Sequence, residues 1–175
     1  MIRSRFPADE RGTAATEMAL LVPLLVLLLF GGFEAGHFVW TQHKLVEAVR
    51  DGARFAGRLN INDLCDGPNA VMSPDTEDAT ILITRTGQLA STTARPKVPG
   101  WTAAEVDVDP QCNPPESVST GLYSDLGNSC DGPCKGPIVR VSAQNVPYPS
   151  LFNSLGIIDT TFTLSARSNA PVIGL

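Results

Sequence analysis

Four cysteines, two histidines and one misplaced carboxylate are the side chains whose type and spacing could do chemistry. Cys65, Cys112, Cys130 and Cys134 all lie downstream of a long apolar run. An even number confined to one part of a chain fits two disulfides in an oxidising compartment. Three pairings are open; the Gly-Pro turn in CDGPC could close a short loop, which favours Cys65–Cys112 with Cys130–Cys134. The competing readings are redox thiols and a zinc site. CDGPC is CxxxC rather than the CxxC of a thioredoxin-like centre. Zinc would want closer ligand spacing and nearby histidines, but His37 and His43 stand far upstream. Six residues apart on a helix, those two histidines also point away from each other.

The carboxylate is Glu17, set inside RGTAATEMALLVPLLVLLLFGGFEAG. From Met18 to Phe33 no residue is charged. Extended back to Thr13, the run covers a bilayer core of about 30 Å as a helix. An ionised acid in that setting costs roughly 3 kcal/mol on insertion scales, so it needs a partner or a hydrated position. No G-x-S-x-G, P-loop, HExxH or dinucleotide fingerprint is present. Asp107 and Asp109 alternate with valines, the pattern of a solvated strand face. The residues predict no enzyme, no cofactor and no metal; DxDxDG, the calcium-loop pattern, is also missing.

These residues must be positioned by a helix and a small domain. The chain has 175 residues and a net charge of −5, a balance that argues against a nucleic-acid surface. Residues 1–12 are polar, with Arg3, Arg5 and Arg11. They resemble a secretory leader, but the apolar run is too long and no small-x-small cleavage site follows it. Residues 13–36 are expected to span a membrane. Pro23 predicts a kink or a melted turn there. Gly32 and Gly36 form a GxxxG that would let another helix approach. Residues 37–59 continue as an amphipathic helix with Val39, Leu45, Val46, Val49, Ala53 and Ala56 as its apolar positions. Ala48, Gly52 and Ala56 form a flat strip suited to close packing, and Trp40 stands where an interfacial aromatic belongs.

Asn60 to Asp78 breaks the helix. β signals follow in ATILITR (79–85), AEVDVD (104–109), IVRVSAQNV (138–146) and TTFTLSARSNA (160–170), the last with Phe162, Leu164 and Ala166 on one side. PYPSLFNSLGI predicts a short helical turn with Leu151, Phe152 and Leu155 inward, and 110–137 is irregular. The fold class is α+β: a long N-terminal helix followed by residues 60–175, a small, mainly antiparallel, disulfide-containing sheet domain of three or four strands. The oxidising space that the cysteines need places that domain outside the cytoplasm and the N-terminus inside.

The polar leader ending in Gly12, followed by Thr13 and Glu17 and then the apolar helix, resembles a type IV prepilin-like leader. More closely, the chain resembles the TadE-like family, pseudopilins of the tight-adherence (Tad, or Flp) pilus system. The matching residues are Gly12 with Glu17, Pro23, Glu34 with Gly36, and the AVRDGARFA stretch; VRVSAQNV and LSARSNA fit more loosely. Met18 stands where an aromatic is common in the family. The resemblance covers residues 11–58 well, 138–170 loosely and the cysteine-rich middle not at all. It implies a pilin-like fold and a minor pseudopilin in the bacterial inner membrane. A prepilin peptidase would cut after Gly12 and free an amine on Thr13. Glu17 of one chain could then pair with that amine on another. The implied partners are the peptidase, other Tad pilins and pseudopilins, inner-membrane platform proteins and membrane lipid. The alternative is an uncleaved single-pass protein whose outer domain binds a ligand or envelope partner.

Overall fold

The computed structural model describes residues 10–66, 68–89, 94–112, 136–154, 156 and 162–174. Cys130, Cys134 and Leu155 lie outside these residues, as does most of the irregular 110–137 stretch. One helix, α1 (Glu10–Ala56), runs from the first described residue into the core of the domain. It stays helical through Pro23, so the melted turn expected there is not seen. It ends where Gly57 donates its N–H to Ala53 O at 2.9 Å and Asn60 caps the next turn, α2 (Ile61–Leu64). Strands β1 (Cys65–Asp66) and β2 (Asn69–Ala70) form a small antiparallel hairpin.

The segment 79–85 is not a strand. It belongs to a second long helix, α3 (Pro74–Thr86). The β-branched residues invited the wrong reading, but the ends decide it. Ser73 caps the N-terminus by accepting the Thr76 N–H, Pro74 opens the first turn, and Asp75 and Glu77 suit its positive end. At the other end Gly87 adopts φ 77° and returns its N–H to Ile83 O. Thr80 and Thr84 donate their hydroxyls to the carbonyls four residues back, at 2.8 and 2.7 Å. With those hydroxyls satisfied, their methyl faces can be buried. Both threonines are fully buried.

The principal sheet has the order β3 (Val106–Gln111), β4 (Ile138–Pro147), β5 (Thr163–Pro171), all antiparallel. Val139, Val141 and Ala143 point toward the core and are fully buried. Strict alternation would then turn Val146 outward. A bulge between Ala143 and Val146, with Asn145 at φ 58°, shifts the parity and returns Val146 to the buried face opposite Leu164. Leu164 and Ala166 face inward as expected, but Phe162 precedes β5 and is exposed. In the turn α4 (Leu151–Ser154), Phe152 is half-buried whereas Leu151 is exposed rather than inward.

The core lies between the sheet, the second half of α1 and α3. Leu45, Val49 and Ala53 of α1 share one buried cluster with Val141 and Leu164 of the sheet and with Leu64, Val98 and Trp101. Each large aliphatic side chain buried this way contributes about 1.5–3 kcal/mol. Val39 of the expected apolar stripe is instead exposed. Cys65 and Cys112 form a disulfide with Cα atoms 5.6 Å apart, tying the α2–β1 corner to the end of β3.

Candidate functional site

The first half of α1 carries the features that stood out in the sequence. Every residue from Thr13 to Phe33 is exposed, including Leu20 at 79% and Leu27 at 69%. A continuous apolar cylinder of this size far exceeds the few hundred Å² that monomers in water tolerate. Among the described residues this is one helix long and apolar enough to cross a membrane, and none of its most apolar window is buried by the rest of the chain. A core helix would be covered. Here the same helix passes unbroken from bare apolar surface into the domain's core.

Glu17 lies four residues past Thr13, so the two share one side of the helix. Its side chain is exposed, and Thr16 donates its hydroxyl to Thr13 O at 2.8 Å. The backbone of Gly12 is already part of α1.

The small residues proposed for helix packing divide into two groups. Ala48, Gly52 and Ala56 are buried, and α3 lies across Gly52 so closely that an added Cβ would overlap the Thr84 hydroxyl. Gly32 and Gly36 have open space above them. Gly52 is therefore covered by the chain's own helix, and the lower pair is left bare.

Between these halves is a neck that sequence reasoning did not find. The Glu34 carboxylate accepts the main-chain N–H of Leu151 at 3.1 Å. The Tyr148 hydroxyl lies 3.0 Å from His37 Nδ1 and donates to Glu34 O at 3.3 Å. Thr41 donates its hydroxyl to His37 O at 2.8 Å. Phe38 meets the edge of Tyr148 at 5.2 Å between ring centres, and Phe30 reaches Phe152 at 6.4 Å. Burial, together with the hydrogen bond and negative charge of Glu34, pushes the Tyr148 phenol up to about 12. The signal in the sequence was the PYP triplet, an aromatic held between two prolines, which reads as a turn and nothing more.

Beside the neck opens a cleft of about 570 Å³. His37, Trp40 and Lys44 of α1 form one wall, and Lys97 and the 149–151 segment form another. Lys44 Nζ sits 3.6 Å from the centre of the Trp40 ring, within cation–π range. Lys97 pairs with Asp51 at 2.9 Å. Among the described residues no cluster of His, Cys, Asp or Glu is arranged to hold a metal ion.

An exposed membrane-length helix feeding a small α+β domain with a disulfide fits one class, a helix-anchored single-pass protein. Residues 12–54 match the TadE-like protein family. The match begins at Gly12 and takes in the exposed half of α1, the neck residues Glu34 and His37, and most of the packed half. The likeness suggests a component associated with a Tad pilus system. No curated protein and no solved structure matches this chain.

Proposed function

We propose that this protein is a minor pseudopilin of a Tad pilus and secretion system, anchored in the inner membrane by residues 13–36 with its disulfide-bearing domain in the periplasm. In this reading a prepilin peptidase removes residues 1–12 and leaves Thr13 as the new N-terminus. Glu17 then meets the freed Thr13 amine of a neighbouring pilin or pseudopilin in the bundle, which satisfies both charges where the dielectric is low. Gly32 and Gly36 would supply the close helix approach. Inner-membrane platform proteins would receive the assembled helices.

The observation that carries this reading is a bare apolar helix with one exposed carboxylate near its start, in the segment that matches the family. An isolated membrane anchor has no use for that acid, because lipid offers it no partner. A bundle of processed chains offers one in every neighbour. N-terminal sequencing of the protein purified from membranes tests the proposal. A mature chain beginning at Thr13 is expected, and a functional chain still carrying Arg3, Arg5 and Arg11 would overturn it.

A further inference from the structure

The cleft beside the neck stands at a particular depth. Residues 13–36 measure roughly 36 Å as a helix at about 1.5 Å per residue, enough to cross a hydrocarbon core of about 30 Å with some tilt. The next few residues must then lie among lipid headgroups. His37, Trp40 and Lys44, which form the helix wall of the cleft, are those residues. A stripe leads into it from below. Leu29, Phe33, Gly36, Trp40 and Lys44 follow one another at spacings of three and four, so they share one face of α1. Leu29 and Phe33 are exposed, and Gly36 leaves open space above its backbone. That face is apolar at acyl-chain depth, recessed at the glycine, and cationic at the top.

The cation at the top has no counter-ion among the described residues. Lys44 lies over the Trp40 ring, and among the described residues no carboxylate is within ion-pair distance of it. Lys97, on the opposite wall, is already neutralised by Asp51. Glu34, the acid at the lower edge of the cleft, is engaged by the Leu151 N–H, which leaves Lys44 as the cation of the cleft without an ion pair among the described residues.

From this arrangement we infer that the cleft binds the phosphate headgroup of an anionic phospholipid of the outer leaflet, with Lys44 as its charge partner and the acyl chains lying along Phe33 and Leu29. The inference rests on the membrane-spanning reading of residues 13–36 and adds a specific lipid to it. A lysine near a membrane surface contributes a preference of about fivefold for anionic over zwitterionic lipid.

The test uses the full chain in nanodiscs of mixed phosphatidylcholine and phosphatidylglycerol, with retained lipid counted by native mass spectrometry. Phosphatidylglycerol is expected to be enriched about fivefold. Lys44→Glu and Lys44→Gln should remove the enrichment, and Lys44→Arg should keep it. Arg50→Glu makes the same charge change as Lys44→Glu at an exposed position outside the cleft, and should leave the enrichment intact. Equal loss in Arg50→Glu would mean diffuse attraction and would overturn the site. Displacement of the lipid by excess glycerol phosphate would mean a soluble anion is the ligand, which also overturns it. Insertion into nanodiscs without any lipid preference defeats this inference alone. Failure to insert at all defeats the spanning reading beneath it.

Discussion

Tyr148 reaches across 111 residues of sequence to set its hydroxyl 3.0 Å from Nδ1 of His37. Together with the Glu34–Leu151 contact it fastens the sheet domain to the helix just past the uncharged run that ends at Phe33. The domain therefore has a defined height on its anchor. Flexible tethering would not require a buried phenol there, and Tyr148 is 6% exposed.

Removing that fastening should loosen the neck without unfolding the core. Tyr148→Phe is expected to cost about 1 kcal/mol, the net worth of a typical hydrogen bond. Glu34→Ala should cost about as much by freeing the Leu151 N–H. Hydrogen exchange on the full chain in micelles should show faster exchange at Leu151 in both, with the β4 amides unchanged.

The Tyr148 phenol also makes a pH prediction. Its folded value, about 12, lies above the ordinary 10.0. The folded state holds this proton more tightly than the unfolded chain does. The stabilisation is complete below pH 10.0 and disappears as pH rises through about 12. Ultraviolet titration should show a late tyrosinate step that Tyr148→Phe abolishes.

Gly52 has no tolerance for a side chain. Gly52→Ala should destabilise the domain by about 1–3 kcal/mol, because its methyl would overlap the Thr84 hydroxyl between two packed helices. Thr84→Ala in the same chain should recover part of that loss, read as a positive coupling in thermal melts. Gly36→Ala meets open space and should leave the melting temperature unchanged.

The Cys65–Cys112 bridge closes a sequence separation of 47. Chain-entropy arguments give such a loop roughly 4 kcal/mol. Cys112→Ser should therefore lower the denaturant midpoint by a corresponding amount, and reduction of the native protein should do the same.

Processing and assembly separate under two substitutions. Gly12→Arg should leave the chain at full length in the membrane. Glu17→Ala should insert as well as or better than the native chain, since the acid disfavours insertion, yet fail to join its pilin partners in co-purification. Normal piliation with Glu17→Ala would remove the paired-charge basis of the proposed function.

Local pattern alone was enough for the long helix, for strands expected at 104–109 and 138–146 and found at 106–111 and 138–147, and for the α+β class, because hydrophobic periodicity sets each of them within one segment. Glu17 and the small residues of α1 were visible for the same reason. The helix at 74–86 was also written locally, in Ser73, Pro74 and Gly87, but the β-branched residues between them obscured it. Tertiary structure alone decided three matters: that Gly52 is occupied by Thr84 while Gly36 is left open, that a bulge returns Val146 to the core, and that Tyr148 locks onto His37 and Glu34. Each depends on which residues from distant segments meet, and a chain's own periodicity carries no record of what arrives from elsewhere to cover it.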